Sequence, residues 1–127
     1  MSQTTILIGL FICHWLADYT HLSTNWMLGA KRVGKPLYPI LAHALVHAGL
    51  MLIFLVLFIG FKKEIFWAFA FELITHFLID TLKGKMNVWF PSVKEPGNKW
   101  HWIIFGFDQL LHSLVIVAIS AYVVRVS

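Results

Sequence analysis

The chain has 127 residues, 59% of them hydrophobic and only 13% charged, with a formal net charge of +4 and a mean hydropathy of +0.76. That balance excludes the ordinary water-soluble globular class and points to a membrane protein. The single cysteine, Cys13, excludes an internal disulfide framework and a cysteine-based zinc site, so a metal here would be held by nitrogen and oxygen.

Four apolar stretches are each long enough to cross a hydrocarbon core of about 30 Å at about 1.5 Å per helical residue, and together they leave no room for a second domain. The segment Met1-Ser-Gln-Thr-Thr5 lacks the basic region of a cleaved signal peptide, and no small-residue cleavage site precedes His14 and Asp18. The first helix is expected over about 5–28, ended by Gly29 and the basic run Lys31, Arg32 and Lys35. The second, entered through Pro36-Leu-Tyr-Pro39, is expected over about 37–59, before Gly60 and Lys62-Lys63. The third is expected over about 64–82. A loop running through Pro91, Pro96 and Gly97 follows it, and the fourth helix covers about 100–124. The expected fold is therefore a single all-α transmembrane domain, residues 1–127. It is a four-helix bundle running up-down-up-down with both termini on one side.

Loops 29–36 and 83–99 carry 3 and 4 Lys or Arg residues, against 2 in the loop between them. By the positive-inside rule those two loops face the cytoplasm of a bacterial inner membrane and the termini face away. Trp26, Tyr38, Trp89, Trp100 and Trp102 fall near the same interface, where amphipathic rings are favoured. Topology and attraction to anionic lipid then explain the positive charge, and no nucleic-acid partner is expected.

A bilayer-spanning helix should avoid ionisable side chains, since an Asp near its centre costs about 2.5–3.5 kcal/mol on insertion scales. This chain instead puts a pair spaced i, i+4 in every expected span, and that spacing sets both side chains on one helix face. The pairs are His14/Asp18, His43/His47, His76/Asp80 and Asp108/His112, with Glu72 one turn before His76. Of the 127 residues, 13 are His, Asp or Glu. Random placement would give about 1.3 such pairs, and five occur. In an up-down-up-down arrangement all four spans present their pairs at one depth, as in the di-metal sites of helical bundle cores. Carboxylates and imidazoles gathered in low dielectric need a cation, so these eight residues are the candidate ligands of one or two divalent ions. Zinc is the default, and manganese and iron are compatible with the same donors.

A bridging Asp18 or Asp80 would set two ions close enough to activate a water for hydrolysis. Glu72 is a candidate general base or orienting group. Lys83, with Lys31, Arg32 and Lys85 near the site mouth, is a candidate contact for an anionic substrate such as a lipid phosphate. His21 and His101, near the interface, read as hydrogen-bonded to neighbouring helices, and Cys13 as packing. No phosphate-binding Gly-rich loop or serine nucleophile motif occurs.

The ordered fragments His14-Trp-Leu-Ala-Asp18-Tyr19, His43-x-x-x-His47, His76-Phe-Leu-Ile-Asp80-Thr-Leu-Lys83 and Phe107-Asp108-Gln109-Leu-Leu-His112 resemble the small bacterial and phage membrane proteins of the domain-of-unknown-function family 3307. The resemblance covers nearly the whole chain. It departs at His21-Leu-Ser-Thr24, where members often carry a Leu-Gln-Thr element. The family name implies no activity. A loosely similar group, described as membrane-bound metal-dependent hydrolases, agrees with hydrolysis of an ester or phosphoester by analogy alone. Two other readings stay open: a proton or metal-ion transporter, and an accessory subunit with a purely structural metal, either of them compatible with a homo-oligomer.

Overall fold

The computed structural model describes residues 1–127 and is wholly helical, with no strand. Five α-helices follow one another: α1 (Gln3–Tyr19), α2 (Asn25–Val33), α3 (Leu37–Ile59), α4 (Lys63–Trp89) and α5 (Lys99–Val126), with a 3-10 turn at Pro91–Lys94 before the last. Three of them, α3, α4 and α5, are long and apolar enough to cross a membrane. At 17 residues, α1 is about 26 Å long and falls just short of a full hydrocarbon core. Each of these four packs on two others, α1 on α3 and α5, and α4 on α3 and α5.

The expected first helix, 5–28, is two helices. Thr20 ends α1 and donates its hydroxyl to the Leu16 carbonyl, and the Thr24 hydroxyl accepts the Met27 amide and starts α2. Short polar side chains compete with the helix for its own backbone groups, and here two of them close one helix and open another. Gly29, expected to end a helix, lies inside α2. The real C-terminus is at Gly34, whose left-handed backbone (φ 74°) returns its N–H to the Ala30 carbonyl.

Helix α4 also runs past its expected end, continuing through Lys83-Gly84-Lys85 to Trp89. Gly84 is there for proximity rather than to stop the helix. A Cβ at Gly84 would lie 2.3 Å from the Gly34 nitrogen and 2.5 Å from the Lys31 carbonyl oxygen, so the two glycines let α2 rest directly on the α4 backbone. That contact carries Lys31 and Arg32 to the end of the molecule where α3 and α5 begin.

The interior is divided along its length. Ile6 and Leu10 of α1, Met51 and Leu55 of α3, Ile65 and Ala68 of α4, and Ile116, Ile119 and Val123 of α5 form one apolar cluster. At the other end the buried polar side chains are His43, His47, Glu72, His76, Asp80, Asp108 and His112, packed among apolar residues that include Ala17, Ile40 and Ala44. The outer surface is the reverse of a soluble protein's. Ile8, Ile53, Leu57, Trp67, Ile74, Leu78 and Leu114 are exposed, as are the five aromatic residues expected at the interface.

Candidate metal centre

Helical spacing does the first part of the assembly. Because residues four apart stack on one face, each of α1, α3, α4 and α5 brings its pair inward as a unit, and the polar end of the interior receives all four. Asp18 is the meeting point of the first group. Its Oδ1 lies 3.0 Å from His43 Nε2 and 2.9 Å from His47 Nε2, and those two nitrogens are 3.2 Å apart. Its Oδ2 faces His14 Nε2 at 3.1 Å. The second group is centred on Asp80, with Oδ1 3.2 Å from His112 Nε2 and Oδ2 3.2 Å from His76 Nε2.

One donor atom each from Asp18, His43, His47 and His76 falls within 4.8 Å of the others, and the same holds for His76, Asp80 and His112. His76 is common to both groups. The groups also touch through Asp80, whose Oδ2 is 3.8 Å from His43 Nε2. His14 and Asp108 stand one step outside these two groups. His14 abuts Asp18, while Asp108 Oδ1 is 3.5 Å from His112 Nε2 and its Oδ2 accepts from Gln109 at 2.9 Å. The His47 and His76 rings stack, with centroids 3.7 Å apart and planes 30° from parallel.

The donor set fits a divalent cation on two observations. With His76 Nδ1–H given to Glu72, a neutral imidazole turns its Nε2 lone pair on Asp80 Oδ2 at 3.2 Å, and two buried acceptors facing each other without an aligned hydrogen bond are an unfavourable pair that a cation between them would relieve. The triangle of Asp18 Oδ1, His43 Nε2 and His47 Nε2 has edges of 2.9, 3.0 and 3.2 Å. Ligands at about 2.0–2.1 Å from a tetrahedral zinc are separated by about 3.3 Å, so these atoms already stand near the edge length of a coordination polyhedron.

Glu72, the candidate base or orienting group, contacts His76. Its Oε1 accepts from His76 Nδ1 at 3.2 Å, which holds Nε2 toward Asp80 in the way carboxylates hold metal-bound imidazoles. Lys83 Nζ lies 3.8 Å from Asp108 Oδ2 and 4.7 Å above the Phe105 ring. Lys31 reaches deeper than a rim residue: its Nζ is 3.0 Å from His43 Nε2 and 3.7 Å from both Asp18 Oδ1 and Asp80 Oδ2. Spacing alone does not place it there, because the apolar pattern makes α2 the tail of the first expected helix and part of the loop after it. The contact from Gln109 to Asp108 was also missed, although the two are adjacent in sequence. His21 is exposed and makes no side-chain hydrogen bond, contrary to expectation. His101 donates Nδ1–H to the Val93 carbonyl of the 3-10 turn at 2.7 Å rather than to a helix.

A cleft of about 280 Å³ opens onto this centre, lined by Asp18, Lys31, Arg32, Asp80, Lys83 and Asp108 among others. Its lining sets the carboxylates of Asp18, Asp80 and Asp108 beside the cations of Lys31, Arg32 and Lys83.

Residues 6–127 match the family described as Protein of unknown function (DUF3307). The chain belongs to this family. No curated protein and no solved structure matches it.

Proposed function

We propose that this member of the DUF3307 family is a membrane-embedded metal-dependent hydrolase that cleaves an ester or phosphoester of an anionic, membrane-associated substrate. The observation that carries the reading is the joining of two convergent His/Asp donor groups to an open, cation-lined cleft. The ligands would be Asp18, His43, His47 and His76 in one group and His76, Asp80 and His112 in the other. The Asp80 carboxylate reaches toward both groups, and His14 and Asp108 close the flanks. A divalent ion held there, zinc by default and manganese or iron by the same donors, would supply Lewis acidity and make a nearby water a better nucleophile. Glu72 orients His76, and Lys31 and Lys83 hold the anionic group of the substrate beside the carboxylates.

The topology that goes with this reading is a four-span bundle, α1, α3, α4 and α5, with both termini on one side and α2 lying at the opposite interface. Its support is the ring of helix contacts and the gathering of Lys31, Arg32, Lys35, Lys83, Lys85, Lys94 and Lys99 toward one end. With that end cytoplasmic, the protein sits in a bacterial inner membrane with its site at the inner leaflet. Conduction is disfavoured by the Ile6, Leu10, Leu55, Ile65 and Ile119 cluster, which fills the interior beyond the polar end. A purely structural metal is disfavoured by the open cleft, since structural sites are closed.

The reading is tested by metal-depleted protein in liposomes, assayed on phosphomonoester, phosphodiester and carboxylester lipids before and after addition of zinc or manganese. Metal-dependent turnover that disappears in Asp80→Asn supports it. Failure of every substrate class with the metal bound at full stoichiometry would overturn it in favour of a structural centre.

A further inference from the structure

Two apolar grooves lie in the outer seam between α4 and α5. The one nearer the metal centre, about 270 Å³, is lined by Leu78, Ile79 and Leu82 of α4 and Phe107 and Leu111 of α5, with Lys83 and Asp108 at its end. The farther one, about 540 Å³, is lined by Trp67, Phe71, Ile74, Ala118 and Tyr122, with no charged residue. Lys83 and Asp108 line both the nearer groove and the polar cleft over the donor groups. The Lys83–Asp108 pair, 3.8 Å apart, is therefore the shared wall between the seam and the cleft.

The seam has a direction and a length. From Phe71 to Lys83 is twelve residues, about 18 Å along α4, close to one leaflet of a hydrocarbon core of about 30 Å. Its apolar end is ringed by Trp67 and Tyr122 and its charged end by Lys83, with Lys31 and Arg32 on the far wall of the cleft. Lys83 is not extended along its helix toward water in the usual manner of an interfacial lysine. It turns onto α5, against Asp108 and Phe105, with 29% of its side chain exposed. Lys83 thereby lines both the nearer groove and the cleft.

We propose that the substrate is an anionic phospholipid, with an acyl chain lying in the α4/α5 seam and its phosphate held by Lys83, Lys31 and Arg32 beside the donor groups. The proposal rests on the hydrolase reading for the word substrate, but the lipid site stands on the seam and its charged end. Access is lateral, from the leaflet, and these cations select a headgroup with net negative charge over a zwitterionic one.

The test is photolabelling in phosphatidylcholine nanodiscs doped with phosphatidic acid that carries a photoreactive group in its acyl chain, with labelled residues mapped by mass spectrometry. Labelling of Leu78, Leu82, Phe107 and Leu111 should exceed that of Ile8 and Ile53, on the outer faces of α1 and α3, by several-fold. Unlabelled phosphatidic acid should compete for it and phosphatidylcholine should not. Leu78→Trp, at an exposed groove position, should reduce seam labelling, and Lys83→Gln should narrow the preference for phosphatidic acid over a photoreactive phosphatidylcholine, with Lys31 and Arg32 keeping the remainder. Even labelling around the whole outer surface, or a seam preference untouched by both variants, would overturn the proposal. Metal content measured on the same samples separates the two readings. Seam labelling on protein that takes up no metal removes the hydrolase and leaves the lipid site, whereas full metal content with even labelling removes the lipid site alone.

Discussion

Replacing Gly84 with alanine should destabilise the protein locally, against the usual preference of a helix interior. Alanine is better than glycine inside a helix by about 0.8–1.0 kcal/mol, and Gly84 lies well within α4. The added Cβ would, however, stand 2.3 Å from the Gly34 nitrogen and 2.5 Å from the Lys31 carbonyl oxygen. These are backbone atoms, so no side-chain rotation relieves the clash. Overfilling a close contact costs about 1–3 kcal/mol, and here the cost falls only on the state in which α2 is docked. The gain in helix propensity is felt in both states and cancels. Docking of α2 should thus weaken by about 1–3 kcal/mol, or roughly 5–150-fold. Hydrogen exchange followed by mass spectrometry should show the amides of α2 exchanging faster by a factor in that range, with α3 and the apolar half of α5 unchanged. Gly49→Ala and Gly106→Ala are the controls, because a Cβ at either position meets nothing within 4 Å. Both should be neutral or stabilising by up to about 1 kcal/mol. A Gly84→Ala protein whose α2 exchanges at the wild-type rate and whose thermal midpoint rises like the controls' would refute the close contact and the placement of Lys31 that depends on it.

Other expected outcomes bear on the centre itself. His76→Ala, which removes a donor from both groups, should lower occupancy throughout, whereas His112→Ala should spare the ion held by Asp18, His43 and His47. Titration of metal-depleted protein with zinc distinguishes the two. Glu72→Ala should weaken metal affinity by about 10–100-fold with the saturating stoichiometry preserved, as loss of an orienting partner does. Chelation should lower the thermal midpoint by on the order of 10 °C, because an uncompensated buried charge costs about 3–5 kcal/mol, and the shift should reverse on adding metal back. Thr24→Ala removes the α2 cap and should cost about 1 kcal/mol of α2 stability, read as faster exchange in α2 alone.

What could be read from sequence and what could not follows from the range of the forces involved. The pairs on α1, α3, α4 and α5 were visible because i, i+4 spacing is a local property that survives any tertiary arrangement. Leu37–Ile59 is plain for a similar reason, as a run between Pro36 and Gly60 whose only ionisable residues within the span proper are His43 and His47. The end of α1 was missed because Trp26, Met27 and Leu28 extend the apolar pattern beyond Thr20–Thr24, and the capping hydroxyls there act against that pattern. The end of α4 was missed because Lys-Gly-Lys is an ordinary stop signal, and only the arrival of α2 from elsewhere in the chain explains a glycine within the helix. Lys31 is the functional consequence of both errors. Its distance to Asp18 and Asp80 depends on a helix break and on a glycine contact that are remote from each other in sequence.

The most direct test of the central claim is elemental analysis of untagged protein purified in mild detergent, comparing wild type with Asp80→Ala. The account expects one or two equivalents of zinc, manganese or iron per chain in the wild type, lost in the variant. A wild-type protein that carries no metal and takes none up on reconstitution would contradict it, leaving the His and Asp side chains as a hydrogen-bonded network neutralised by Lys31.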